Sequence, residues 1–302
     1  MISRFLNYIE IKTKITSVLT FLFTILFLLY KQVDINWGLT ALFFTSMLFF
    51  DLTTTAINNY IDTKTNTQVL QFNRKTALII IYVLFAISTA TGLYLAWLTD
   101  LIVLAVGALC FIVGVLYTYG PIPISRQPLG EVFSGLFYGF FIPFLIFYIN
   151  LAKNSLVGYS IDFANWDLSL SVKLIPLVEL ILFAIIPFSL TANIMLTNNI
   201  CDLEKDIQVK RYTLPYYLGK KALWAFVLLC YLPFVAVILL VAFGLFPLVS
   251  LGVLLIIPII YKNMKAFLKV QDKETTFNIS IKNFILISSA NILMLVIALL
   301  IR

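Results

Sequence analysis

The sequence predicts an all-α fold, a polytopic membrane bundle of about nine transmembrane helices. Hydrophobic residues make up 62% of the 302 residues, charged residues only 12%, and the mean hydropathy is +1.03. So few charges cannot cover the surface of a soluble protein of this length. Stretches such as 77–99, 101–125 and 222–261 contain no Asp, Glu, Lys or Arg. A run of about 20 apolar residues is long enough to cross a bilayer as a helix.

Nine segments are predicted to span the bilayer. The stretch 222–261 is too long for one helix, and Gly244 and Pro247 are predicted to break it. Short connectors such as Thr99-Asp100 predict tight helical hairpins, so residues 1–302 are expected to form a single integral-membrane domain. The predicted spans are 15–30, 36–57, 76–98, 101–119, 131–150, 173–197, 222–243, 246–261 and 283–301.

The distribution of positive charge predicts the orientation. If the N-terminus is cytoplasmic, 17 of the 21 lysines and arginines fall in cytoplasmic segments, which is the bias that membrane insertion imposes. We therefore expect a multi-pass protein of the cell membrane with a cytoplasmic N-terminus and an external C-terminus. The net charge of +7 is attributed to this topology, so a nucleic-acid partner is not expected.

The composition excludes several kinds of chemistry. The chain has no histidine, which excludes imidazole acid–base catalysis and histidine-ligated haem or zinc. Cys110, Cys201 and Cys230 are far apart and form no CxxC motif. Neither a disulfide framework nor a thiolate metal site is indicated.

Two polar segments, each at the predicted cytoplasmic end of a span, repeat one pattern. The first, 58–75, reads NNYIDTKTNTQVLQFNRK, and the second, 197–221, reads TNNICDLEKDIQVKRYTLPYYLGKK. We interpret the chain as one domain with an internal pseudo-repeat of motifs at 58–66 and 198–206. In this alignment Asn58-Asn59 matches Asn198-Asn199, Asp62 matches Asp202, and Asn66 matches Asp206.

The spacing within each motif predicts a cluster of oxygen atoms. Positions i, i+4 and i+8 lie along one face of a helix, so two such faces meeting would present three carboxylates and several amide oxygens. Hard oxygen ligands suit Mg²⁺, which commonly bridges a carboxylate and a substrate phosphate. Helix capping is the alternative explanation for each motif taken singly. The predicted metal ligands are Asn58, Asp62, Asn66, Asn198, Asp202 and Asp206.

The two segments resemble the Asp-rich motifs NDxxDxxxD and DxxxD of the UbiA superfamily of intramembrane prenyltransferases. A third stretch, YTYGPIP at 117–123 followed by LGEV at 129–132, is similar to the YTxGPxP…GE segment of that superfamily. The 202–219 region looks most like the members that prenylate 1,4-dihydroxy-2-naphthoate in menaquinone synthesis. Asn59 and Asn66 occupy two positions where the family has aspartate, so the first motif carries less negative charge.

The resemblance implies a Mg²⁺-dependent transfer of a polyprenyl group from an allylic diphosphate to an aromatic acid, within the lipid bilayer. With 1,4-dihydroxy-2-naphthoate as acceptor, the implied product is demethylmenaquinone in its reduced, quinol form. The implied catalytic residues are Asp62, Asp202, Asp206 and Arg126. The implied substrate-binding residues are Lys14, Asn59, Tyr60, Arg74, Tyr117, Tyr119, Lys205, Lys210 and Arg211.

Three alternatives remain open at this stage. The acceptor could be 4-hydroxybenzoate, haem or a lipid; the chain could be a cation-binding transporter; or it could be a non-catalytic relative. Two intramembrane acids, Asp51 and Glu179, are functional candidates by position. Asp51 lies two turns before Asn58 and is expected to line the same cavity. The basic stretch 262–282 is interpreted as an anchor to anionic lipid.

Overall fold

The computed structural model describes residues 2–63, 69–120, 123–162 and 164–302. Within those ranges nine helices are long and apolar enough to cross a membrane, which confirms the predicted fold class. The spanning helices are α1 (Ile15–Tyr30), α2 (Trp37–Asp62), α3 (Arg74–Leu98), α4 (Leu101–Thr118), α5 (Gly130–Asn150), α6 (Leu174–Cys201), α7 (Lys221–Ala242), α8 (Leu248–Lys269) and α9 (Asn278–Leu300).

Five short helices lie outside these spans. Two precede α1, over Ile2–Tyr8 and Ile11–Lys14. The segment before α5 contains a single 3-10 turn, Ile124–Arg126. Between α6 and α7 the chain forms Leu203–Gln208 and Leu214–Leu218. Because consecutive spans alternate in direction, the last three of these helices lie at the end of the bundle where α2 ends. We call this the polar end.

The predicted breaks between spans have visible causes. Asp100 accepts hydrogen bonds at Oδ1 from the backbone N–H groups of Ile102 and Val103, at 2.9 and 3.4 Å, which caps α4 at its N-terminus. The hydroxyl of Tyr148 in α5 donates to Asp100 Oδ2. Gly244, with φ of 70°, ends the turn after α7, a conformation that glycine adopts without steric cost.

Helix α5 is not a uniform α-helix. It begins as α-helix at Gly130–Ser134, widens to a π-helix over Gly135–Phe141 and resumes as α-helix at Ile142–Asn150. At Gly139 its backbone touches α6, since a Cβ there would lie 2.2 Å from the backbone nitrogen of Phe188. Only glycine permits this approach, and π-helical turns of this kind are frequent at functional sites.

The helical prediction misses one element, a β-hairpin of β1 (Val157–Asp162) and β2 (Asp167–Val172) between α5 and α6. The strands pair antiparallel from Val157 with Val172 to Asp162 with Asp167. It lies at the end of the bundle away from the polar end. There the Lys31 ammonium also pairs with Glu179 at 3.2 Å, which gives that intramembrane acid a structural partner.

Candidate functional site

A largely apolar cavity of about 500 Å³ lies between α2, α3, α4 and α5. Along α2 its lining runs from Phe43 to Asn58, which at 1.5 Å per residue is about 22 Å. The polar groups that it reaches include Asn58 and Tyr117 toward the polar end. Aromatic side chains form much of the wall, among them Phe43, Phe50, Phe111, Phe133, Phe137 and Phe141.

The first motif is at the C-terminus of α2, where the cavity reaches the polar end. Asn58 lines the cavity, and its Oδ1 atom is buried without a hydrogen-bond partner among the described residues. Asp62 is the last residue of α2. Its carboxyl group interacts electrostatically with Arg211 and Arg126. Asn66, the third predicted ligand of this motif, lies outside the described residues.

Asn59, Tyr60 and Arg74 have structural partners rather than a place in the cavity wall. Asn59 is turned about 100° around the helix from Asn58, and its amide donates to the backbone oxygen of Tyr8 at 2.8 Å and to Glu10 Oε1 at 3.1 Å. Arg74 donates to the backbone oxygen of Tyr60 at 3.0 Å and lies 5.2 Å from that ring. These contacts join the N-terminal segment and the start of α3 to the end of α2.

The second motif spans a helix boundary. Helix α6 ends at Cys201 and the short helix begins at Leu203, so Asn198 and Asp202 share the end of α6 while Asp206 belongs to the next helix. Asp206 is 5% exposed. Arg211 Nη1 lies 3.6 Å from Asp206 Oδ1, and Oδ2 has no hydrogen-bond partner among the described residues. Burial raises the pKa of Asp206, and Arg211 opposes this.

The segment before α5 packs against the second motif. Arg211 Nε donates to the backbone oxygen of Ser125 at 2.7 Å, and the Tyr212 N–H donates to the backbone oxygen of Arg126 at 3.1 Å. Both motifs and the Arg126 segment therefore meet at the polar end. The remaining predicted substrate contacts, Tyr119, Lys205 and Lys210, are exposed at this end.

Helices α4, α5 and α6 meet at the polar end around Tyr117, Glu131 and Asn199. The Tyr117 hydroxyl is 3.5 Å from Met195 Sδ, and Asn199 Nδ2 donates to Glu131 Oε1 at 2.8 Å. A Cβ at Gly130 would lie 3.1 Å from the Tyr117 hydroxyl. Glu131, 3% exposed with Oε2 unpartnered among the described residues, belongs to the quoted GE stretch but was not selected as a site residue.

Lys14 is the predicted phosphate ligand for which the structure gives a different partner. Its ammonium lies 2.7 Å from Asp51 Oδ1 and 2.5 Å from Thr55 Oγ1. Asp51 also accepts hydrogen bonds from the Ser17 and Tyr138 hydroxyls, both at 2.7 Å. Asp51 lines the cavity as expected. This lysine is 4% exposed, and its ammonium neutralises the intramembrane carboxylate of Asp51.

The expected group of three carboxylates around one metal position is not formed. Across the described ranges, no set of three or more His, Cys, Asp or Glu side chains is close enough to hold a metal ion. Arginine and lysine side chains lie close to these acids instead. Mg²⁺ nevertheless fits the donor chemistry, since it is usually held by one or two carboxylates with waters and substrate phosphates. Asn58 Oδ1 and Asp206 Oδ2 are buried oxygens that lack a donor among the described residues.

The fold and the site define a multi-pass membrane protein with an apolar intramembrane cavity that reaches, at Asn58 and Tyr117, the end of the bundle where the charged motifs lie. The model of the UbiA prenyltransferase family matches residues 17–286, nearly the whole of the described bundle. The chain belongs to the UbiA prenyltransferase family.

Individual relatives agree with this assignment. The chain is similar to the 1,4-dihydroxy-2-naphthoate octaprenyltransferase of Bacillus subtilis (strain 168), with 27% identity over 210 residues. That match covers 66% of this chain and 60% of the relative. The fold is also that of a UbiA homologue from Aeropyrum pernix K1, with a TM-score of 0.64 and 17% identity over 92% of this chain and 97% of the other.

A second solved structure is a UbiA homologue from Archaeoglobus fulgidus bound to DMAPP and Mg²⁺. It has a TM-score of 0.60 and 14% identity, and the match covers 99% of this chain and 100% of the other. At this identity the likeness establishes the shared fold.

Proposed function

We propose that this protein transfers a polyprenyl group from an allylic diphosphate to an aromatic acid, with 1,4-dihydroxy-2-naphthoate as acceptor. One observation carries the proposal: a long apolar cavity reaches, at Asn58 and Tyr117, the end of the bundle where Asp62 and Asp206 lie close to arginines. An amphipathic donor has the same two parts, an apolar chain and a charged diphosphate. The naphthoate acceptor is favoured by the Bacillus subtilis relative and by the second motif.

The charged cluster is suited to the leaving group. When bound, Mg²⁺ supplies Lewis-acid stabilisation of the charge that develops on the diphosphate. Asn58 and Asp206 are two motif residues with a buried oxygen that lacks a hydrogen-bond donor among the described residues, and they would hold the ion. Arg126 and Arg211 add fixed positive charge close to Asp62, where charge-assisted hydrogen bonds to phosphate oxygens are strong. As the C–O bond breaks, its electron pair leaves with the diphosphate.

The cavity wall is suited to the allylic cation that remains. Aromatic rings attract a cation through their faces, and the wall that includes Phe133 and Phe137 has few groups able to trap it. An acceptor ring carbon supplies the electron pair for the new C–C bond. With 1,4-dihydroxy-2-naphthoate, the ring carboxylate then leaves as CO₂, and its bonding electrons restore the aromatic ring.

The proposal is tested by incubating the purified protein with Mg²⁺, a labelled polyprenyl diphosphate and a panel of aromatic acids. The expected result is transfer of the labelled prenyl group to 1,4-dihydroxy-2-naphthoate with loss of its carboxylate as CO₂. Transfer only to 4-hydroxybenzoate, haem or a lipid would show that the proposed acceptor is wrong. No transfer to any acceptor, together with cation flux across proteoliposomes, would replace the proposed function by transport. Neither transfer nor flux would identify a non-catalytic relative.

The orientation of the protein remains part of this proposal. A cytoplasmic polar end agrees with the charge bias along the sequence and gives the site access to soluble acceptors. In intact cells, a membrane-impermeant thiol reagent should label a single cysteine placed at the exposed residue Lys153 but not one placed at the exposed residue Lys205, which should react only after the cells are permeabilised. Labelling of residue 205 from outside would reverse the orientation.

Arg126→Lys is expected to slow prenyl transfer by raising its activation free energy by about one to three kcal/mol, the usual contribution of a charged hydrogen bond. Lysine keeps the charge but not the planar fork that binds two phosphate oxygens at once. The rate and the apparent donor affinity should fall while acceptor affinity changes little, as measured by steady-state kinetics. Arg4→Lys, the same exchange at an exposed residue, is the control. Unchanged kinetics in Arg126→Lys would remove this residue from the site.

Gly107→Phe is expected to change which donors are accepted. Gly107 lines the cavity, and a Cβ there would have no atom within 4 Å, so a ring can enter the cavity without displacing another helix. Transfer from long donors should fall roughly 10- to 100-fold, because a misplaced reacting atom costs that much, while short donors are retained. Ala105→Phe, on an exposed face of the same helix, is the control. An equal effect on all chain lengths would show that the prenyl chain lies elsewhere.

A further inference from the structure

A lysine from a distant part of the chain occupies the metal-facing side of the second motif. Lys273, in the connection between α8 and α9, donates from Nζ to Asn198 Oδ1 and to Asp202 Oδ2. Asn198 and Asp202 are four residues apart at the end of α6, so their oxygens lie on the same face. The ammonium group therefore has the ligands that a bound cation would have at this position.

The turn that carries Lys273 is fixed by its own hydrogen bonds. Asp272 Oδ1 accepts from the N–H and the hydroxyl of Thr275, at 2.9 and 2.7 Å, and these bonds hold the pKa of Asp272 below its usual value. The Asp272 N–H donates to Thr276 Oγ1 at 2.9 Å. The ammonium of Lys273 also lies 4.7 Å from the centre of the Phe277 ring. This lysine is directed into the motif rather than toward a lipid surface.

The two acids of the motif consequently differ in which of their oxygens have a partner. Asp202 has a lysine ammonium on Oδ2, whereas Asp206 keeps Oδ2 buried and without a partner among the described residues. Arg211 approaches only the other oxygen of Asp206, Oδ1. Within this motif, Asp206 retains a carboxylate oxygen open to a divalent ion, and the Asn198–Asp202 side is already filled by a positive charge.

We propose that Lys273 is a built-in counter-ion that takes the place of a metal ion between Asn198 and Asp202. The chain then holds divalent ions on its Asp206 side and uses the lysine ammonium for the remaining charge. A lysine ammonium is a compact point charge with three donors. It can therefore donate to both oxygens at any metal concentration. This inference rests on the proposed function for the identity of the donor.

The test counts bound Mn²⁺, used as a paramagnetic substitute for Mg²⁺, by electron paramagnetic resonance with inorganic pyrophosphate present. Lys273→Met is expected to bind one more Mn²⁺ per chain than the wild type, because it frees Asn198 and Asp202. The double variant Lys273→Met/Asp202→Asn should lose that extra ion, which places it at the motif. Lys273→Arg restores a positive charge and should bind the wild-type number.

The control is Lys269→Met, which removes an exposed lysine at the end of α8 and should leave the count unchanged. Lys273→Gln removes the charge but keeps hydrogen-bonding capacity, so it replaces Lys273→Met if that variant is not monodisperse. Equal Mn²⁺ counts in wild type and both neutral variants would overturn the proposal. Prenyl transfer by the wild type is measured separately: its absence would count against the proposed function, while the Mn²⁺ counts would still decide the role of Lys273.

Discussion

Lys14→Met is expected to lower the free energy of unfolding by about 3–5 kcal/mol, the cost of leaving one partner of a buried ion pair unpaired. Asp51 and Lys14 are 7% and 4% exposed, and the ammonium is the only cation within hydrogen-bond distance of that carboxylate among the described residues. The Ser17 and Tyr138 hydroxyls would remain as donors but supply no net charge. Unfolding of the protein in detergent micelles, followed by circular dichroism, measures the loss.

Two variants test the electrostatic explanation for this loss. Lys14→Met/Asp51→Asn removes both charges and leaves an amide oxygen to accept from Ser17 or Tyr138, so most of the lost stability should return. Lys12→Met removes an exposed lysine from the same segment and should change little. A double variant as unstable as Lys14→Met would show that the lysine stem, rather than its charge, holds α1 against α2.

Asp206→Asn is expected to reduce prenyl transfer by a factor on the order of 100 to 1,000, comparable to removing one group that stabilises developing charge. The substitution keeps the size of the side chain but removes the negative charge of the most buried acid in the second motif. The Mg²⁺ concentration needed for the half-maximal rate should also rise, because Asp206 has the open carboxylate oxygen. Initial rates measured over a range of Mg²⁺ concentrations separate the effects on rate and on metal affinity.

Glu204 provides the matched control for Asp206. It lies two residues earlier on the same short helix and is exposed, so Glu204→Gln removes one negative charge at the polar end without touching the site. Its rate should remain close to that of the wild type. If the two variants lose activity equally, the effect comes from the general charge of this surface, and Asp206 is not a ligand.

The sequence alone predicts the parts of this molecule that depend on local pattern. Hydropathy predicts the nine spans because a bilayer requires about 20 apolar residues from each helix. The repeated spacing identifies Asn58 and Asn198 as ends of two long helices. The alternating residues of 167–172, DLSLSV, are a strand signal, but the apolar segments on either side outweigh it, so hydropathy alone does not predict the hairpin.

Pairings between distant residues could not be predicted in this way. Lys14 lies 37 residues from Asp51, and Lys273 lies 71 residues from Asp202. Each lysine also satisfies the positive-inside rule, so the sequence offers a sufficient explanation that is not the structural one. Asn59 differs from Asn58 only by one step around the helix, which turns it to the N-terminal segment. Such distinctions depend on which helices are neighbours.

The alternation of charges at the polar end bears on how the protein matures. Asp62, Asp202 and Asp206 are matched by Arg126, Arg211 and Lys273, so this end of the bundle does not gather unbalanced negative charge. Proteins whose metal ligands repel one another without the ion often fold only when it binds. Because side chains supply this balance, we expect the bundle to assemble without a bound ion.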